Sequence, residues 1–136
     1  MSTVRTGGCL CGAIRYSISA PITELRACHC IDCQRASGSH GTVAAFIPRE
    51  GFQLLQGKPK HYAKRADSGR TLIRYFCGDC GSPIYSHRQT MPELIGVRAG
   101  TLDDSSDLKV TTQIWTKRAR PWSYLDPAAN HVPGQP

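Results

Sequence analysis

The 136-residue chain has no apolar run long enough to cross a membrane; its longest, such as residues 43–47, have only the length of a strand. Residues 1–8 lack the apolar centre of a secretion signal, so an unsecreted, cytoplasmic protein is expected. Helical periodicity is scarce, which argues against a helix bundle. An eighth cysteine is also missing: seven thiols cannot all pair, and a reducing compartment disfavours stable disulfides, so a disulfide framework is not expected. Acid is in short supply, with 10 Asp and Glu against 17 Lys and Arg.

What is present suits one small domain. A hydrophobic share of 40% is too high for wholesale disorder, and the length leaves little room for a second core. A single zinc-binding domain is expected over 1–125, with a loosely held, Pro-rich tail over 126–136. The formal charge of +7 falls to +4 if seven thiolates hold two Zn²⁺ ions. Basic residues are dense only in 58–74 and 117–120. They read as a solvated basic face or as the complement of an anionic small molecule; nucleic acid is not expected.

Short runs separated by Gly, Pro and Ser predict strands at 13–19, 42–47, 52–56, 72–76, 84–85, 94–99 and 110–115. In the first of these Ile14, Tyr16 and Ile18 share one face. A helical turn is expected over 32–37, with Asp32 as its N-cap and Gly38 as its stop. The set predicts a mainly β domain, barrel-like or built of folded sheets.

The cysteines fall into three groups: Cys9-x-Cys11, Cys28-x-Cys30-x-x-Cys33 and Cys77-x-x-Cys80. The last, with Gly78 and Gly81, has the form of a zinc knuckle and supplies half of a tetrahedral site. Cys9 and Cys11, followed by Gly12, are its natural partners, because residues i and i+2 of an extended segment point the same way. A four-thiolate site of this kind closes a long loop and acts as a fold staple. Cys28, Cys30 and Cys33 offer only three ligands, and three protein ligands with an open fourth position mark a reactive zinc. Two alternatives stay open. One of His40, His61, His87 and His131 completes a closed site, or the three thiols form a metal-free redox cluster. His29 is set apart, because it alternates with Cys28 and Cys30 and points away from them.

An open zinc surrounded by thiolates is a poor hydrolytic catalyst but a good seat for a fourth thiolate. Full ionisation of a thiol at neutral pH raises its reactive population roughly thirty-fold, about 2 kcal/mol. Such a gain suits reactions that are already easy, such as adding a thiol to an aldehyde or reversing that addition. Arg35, two residues beyond Cys33, is a candidate to hold a substrate carboxylate, against the plainer reading of an exposed helix arginine. A two-zinc binding module without chemistry, docking an acidic partner through residues 58–74, is the alternative function.

Three ordered stretches carry a resemblance. They are Gly7-Gly8-Cys9-Leu10-Cys11-Gly12, Cys28-His29-Cys30-Ile31-Asp32-Cys33-Gln34-Arg35 and Phe76-Cys77-Gly78-Asp79-Cys80-Gly81-Ser82-Pro83. Together they resemble the glutathione-dependent formaldehyde-activating enzyme family, which also includes centromere protein V. The resemblance implies a β-tent fold of folded antiparallel sheets around a structural zinc held by Cys9, Cys11, Cys77 and Cys80. It also implies a second, more labile zinc on Cys28, Cys30 and Cys33, with glutathione bound nearby. The implied activity is that of a carbon–sulfur lyase acting on a glutathione–aldehyde adduct such as S-hydroxymethylglutathione. Residues 114–122 resemble the family's last strand and aromatic anchor, with Trp115 and Trp122 expected in the core.

Overall fold

The structure, a computed structural model, describes residues 4–67 and 69–136. The start of the stretch read for a secretion signal, and the first three residues of the expected domain, lie outside the described residues. Eleven strands and one α-helix follow in chain order. Strands β1 (Arg5–Gly8), β2 (Arg15–Ile18) and β5 (Phe52–Gln56) form a three-stranded antiparallel sheet in the order β1-β2-β5. The larger sheet joins β3 (Leu25–Cys28), β4 (Thr42–Pro48), β6 (Lys60–Arg65), β7 (Thr71–Phe76), β8 (Pro83–Arg88), β9 (Met91–Arg98), β10 (Val110–Ile114) and β11 (Asn130–Val132). Its order is β11-β10-β3-β4-β9-β8-β7-β6, open at both edges, so the β class expected from sequence takes the folded-sheet form and not the barrel. The pairings from β3 through β6 are antiparallel, whereas β10 runs parallel to both β3 and β11.

The core lies between the sheets. Ile14, Tyr16 and Ile18 from the small sheet meet Ile47, Ile84, Ile95 and Val97 from the large one, all nearly excluded from solvent. The alternation read in residues 13–19 therefore faces the core as expected. Tyr16 keeps its hydroxyl satisfied on Thr101 at 2.6 Å, and burial pushes its pKa up to about 12. No helix among the described residues is long and apolar enough to cross a membrane.

Several expectations change. Helix α1 spans Ile31–Ser37, and its N-cap is Cys30, whose sulfur accepts from the Cys33 amide; Asp32 lies inside the first turn and pairs with Lys64. Gly38 does end the helix, in the left-handed conformation at φ 67°. Strand β6 was not expected: every one of its residues is exposed, so no apolar alternation marks it. Segment 126–136, expected as a loose tail, adds β11, and Gln135 accepts a hydrogen bond from the Trp115 indole at 3.1 Å. Trp122 is 67% exposed and is no core residue; Trp115 is half-buried.

Candidate metal centres and the arginine-lined cavity

The first cysteine group joins the two sheets. Cys9 and Cys11 follow β1, Cys77 and Cys80 follow β7, and all four sulfurs lie within 4.8 Å of one another. The Cys9–Cys11 separation is 3.6 Å and the Cys11–Cys77 separation 3.8 Å. Sulfurs bound to a tetrahedral zinc at 2.3 Å stand about 3.8 Å apart, so this geometry fits the ion. Backbone amides already point at the sulfurs, from Ile14 to Cys9 at 3.2 Å and from Asp79 to Cys77 at 3.4 Å. The Ser82 hydroxyl beside Cys80, 3.2 Å away, helps to hold that thiol down at about 5. Gly12 and Gly81, each just past the second cysteine of its pair, both sit at φ 81°, which a residue with a Cβ rarely adopts. Matched turns thus deliver two thiolates apiece.

The second group is built differently. Cys28 ends β3, Cys30 caps α1 and Cys33 lies in its first turn, so one short loop presents three sulfurs within 4.8 Å of one another. Among the described residues no histidine or carboxylate atom joins this group. His29 turns away into the protein, fully buried, with its Nε2 2.7 Å from the Gln113 side-chain oxygen. Crowding is the largest cause that splits the thiols. Hydrogen bonds from Cys28 and Cys30 pull Cys33 down to about 2, while Cys30 and Cys33 push Cys28 up. The Arg74 charge pulls Cys33 in the same direction. Three sulfurs sharing one charge form a ready seat for a dication.

Buried glutamines hold this loop in place. Gln34 donates to the carbonyls of His29 and Arg118 at 2.8 and 2.9 Å and accepts from Arg120 at 2.7 Å. The loop is thereby tied to the segment after β10. Trp115 starts that segment in the left-handed conformation, φ 56°, and lines the space in front of the sulfurs. Its indole covers part of the wall while Lys117 stands over its ring at 5.0 Å.

The three sulfurs open onto a cavity of about 460 Å³. One face of the large sheet forms its floor. Registers Cys28–Thr42, Ala44–Arg98, Gly96–Ser86 and Ser86–Arg74 set these side chains in adjacent rows. Small residues in the middle leave the space open. Six arginines (Arg26, Arg70, Arg74, Arg88, Arg98 and Arg118) and two aspartates line it. Asp32 is already paired with Lys64 at 2.5 Å, so the cavity is strongly positive. Arg74 and Arg98 stand nearest the sulfurs in charge, each sensing cysteines of the cluster. Arg74 Nε is buried and has no hydrogen-bond partner. Arg35, by contrast, is exposed on the far side of α1 and does not line the cavity. Proximity in sequence misled there; the useful signal was an arginine on the same face as small or apolar residues within a strand, as in Leu72-x-Arg74 and Gly96-x-Arg98.

Residues 4–118 match the sequence profile of the glutathione-dependent formaldehyde-activating enzyme family. The chain belongs to that family. Members from Sordaria macrospora and Penicillium rubens, provisionally described by that activity, are 27% identical over 74 residues and 25% identical over 77. These alignments cover 54% and 57% of this chain, but only 30% and 39% of the fungal proteins. A Halomonas elongata relative with the same provisional description is 27% identical over 106 residues, covering 75% of this chain and 66% of its own. The chain thus spans less than two-thirds of the length of each relative. A crystal structure of a Rhodobacter sphaeroides protein shares the fold, with a TM-score of 0.61 and 22% identity over 78% of this chain and 99% of that one. Two folded sheets with a four-cysteine cluster joining β1 to β7 are how this family member is built.

Proposed function

We propose that this chain is a zinc-dependent carbon–sulfur lyase acting on the adduct of glutathione, or a similar small thiol, with an aldehyde, such as S-hydroxymethylglutathione. The observation that carries the reading is the opening of the three-sulfur cluster onto an arginine-lined cavity of about 460 Å³. Family membership supports it, and the relatives' descriptions name both glutathione and formaldehyde. Two zinc ions are assigned: a structural ion on Cys9, Cys11, Cys77 and Cys80, and a second on Cys28, Cys30 and Cys33. When bound, the second ion keeps a substrate sulfur ionised at neutral pH.

The protein groups supply position and charge. Arg74 and Arg98 hold a carboxylate of the thiol through charge-assisted hydrogen bonds, Arg74 with its free Nε. Gln34 and the buried His29–Gln113 pair keep the cysteine loop at a fixed distance from them. Trp115 and the sheet floor restrict water around the sulfur. In the forward direction the thiol sulfur forms a bond to the aldehyde carbon and the C=O π bond becomes an alcohol. The thiol proton ends on that oxygen, and nothing is oxidised. Holding the two reactants together is the main gain, since the uncatalysed addition is already easy.

The test is exchange between glutathione, formaldehyde and their adduct, followed by NMR with and without the zinc-loaded protein. The proposal expects faster exchange with protein present; a rate equal to that of the protein-free mixture contradicts it.

A further inference from the structure

Five of the six cavity arginines fall into two sets, Arg118 standing apart after β10. Arg74 and Arg98 belong with the sulfurs. Arg26, Arg70 and Arg88 form an outer set. Following the floor away from Cys28, β8 runs from Ser86 in the Arg74 row outward to Arg88, which pairs with Leu72. Arg70 lies beyond Leu72, and Arg26 lies two strands over from Arg98, its guanidinium 4.8 Å from the centre of the Phe46 ring. Burial holds Arg88 below the ordinary guanidinium value, and the charges of Arg70 and then Arg26 push it the same way. All three line the same cavity, and the charges of Arg26 and Arg70 both reach Arg88. None of them makes an ion pair among the described residues, although Asp67 lines the same cavity.

Three like charges gathered in a cavity cost stability unless an anion joins them. Glutathione brings two carboxylates and an ammonium, so a share of the positive charge stays unmatched when the inner pair has taken one carboxylate. A single carboxylate is satisfied by one guanidinium fork. Three forks lining one cavity suit an anion with three acceptor oxygens and a double charge, which is a phosphate monoester. Between the two arginine sets, Phe46, Leu72 and Leu94 offer an uncharged wall.

We propose that Arg26, Arg70 and Arg88 form a phosphate-binding subsite, and that the thiol used by this chain carries a phosphate remote from its sulfur. The inference rests on the thiol reading above for the second half of that statement, and on the arginine cluster alone for the first. The substrate class is thus a phosphorylated thiol with an uncharged stretch between sulfur and phosphate. Glutathione remains able to fill the inner part of the site.

Binding of inorganic phosphate to the zinc-loaded protein tests the subsite apart from any chemistry. Calorimetric titration is expected to give one phosphate per chain, at least tenfold tighter than acetate. Arg88→Gln and Arg70→Gln should each weaken phosphate at least tenfold with unchanged zinc content, whereas Arg35→Gln, outside the cavity, should leave it unchanged. Phosphate binding that is equal in Arg88→Gln and the parent overturns the subsite, as does acetate binding as tightly as phosphate. Should the parent bind phosphate as expected while glutathione exchange stays at the protein-free rate, the subsite stands and the lyase reading falls. Exchange without phosphate binding does the reverse.

Discussion

Two cysteine clusters made of the same residue type, in the same chain, do opposite things with their surroundings. The four-cysteine cluster draws its sulfurs from two turns, one beside each sheet, and offers the four ligands of a tetrahedral site. The three-cysteine cluster comes from a single loop, so removing a metal there frees no distant strand. It faces six arginines across open space. On the proposed reading, ligand count and loop span, not ligand chemistry, separate a staple from a reactive site.

The sharpest way to break this contrast is to remove one ligand from each cluster. Cys77→Ser leaves Cys77's buried position without a thiolate and opens the link between β1 and β7. Structural zinc is worth about 10–16 kcal/mol apparent, against about 5–15 kcal/mol for a whole domain, so the variant should lose its cooperative thermal unfolding. Cys30→Ser should instead keep a folded protein, with one zinc lost and exchange at the protein-free rate. Circular dichroism melts and zinc counts on both variants check the pair; equal damage in the two would erase the distinction.

A second way sharpens the open site. Arg74→Gln should raise KM for glutathione roughly tenfold to a hundredfold, because charge-assisted hydrogen bonds are worth about 1.5–3 kcal/mol. Zinc content should stay the same. Steady-state kinetics decide it, and an unchanged KM would remove Arg74 from substrate binding.

Gln34→Ala tests the support behind the loop. It strips the carbonyls of His29 and Arg118 and the Arg120 guanidinium of a partner, a loss of about 1–3 kcal/mol by urea unfolding. The second zinc should also become easier to chelate, with the first unaffected. A change confined to stability would show that Gln34 serves the fold and not the site.

The smallest effect lies beside the staple. Asp103 is held down at about 2, first by Arg15 and then by the Thr6 hydroxyl, and both partners belong to the small sheet. A depressed carboxyl stabilises the fold fully above its unfolded value, near 4, and loses that contribution as pH falls toward 2. Asp103→Asn should therefore lower the melting temperature slightly at pH 5–7 and leave it unchanged near pH 2. The pair is exposed, so the shift will be small.

Much of this contrast was legible beforehand, and the reason is local. Cysteine spacing fixes which thiols can share an ion, because turns and extended segments set side-chain direction over two or three residues. The strands over 52–56 and 72–76 and the stop at Gly38 were likewise written in short-range pattern. The cavity was not. Five of its arginines come from β3, β8 and β9 and from in and around β7, where only the register across the sheet turns them to one face, and Arg118 comes from the turn after β10. Arg35 looked better placed because it is close in sequence, yet α1 turns it to solvent. Gln34 and Gln113 read as ordinary polar residues, and nothing in their neighbours announces burial. The same holds for β11, whose pairing depends on where β10 runs.

Native mass spectrometry with and without a mild chelator tests the central claim most directly. The account predicts two zinc ions per chain, one removed quickly from Cys28, Cys30 and Cys33 and the other retained with the fold intact. Two ions leaving together, or a single ion that resists the chelator with no second one bound, would contradict it.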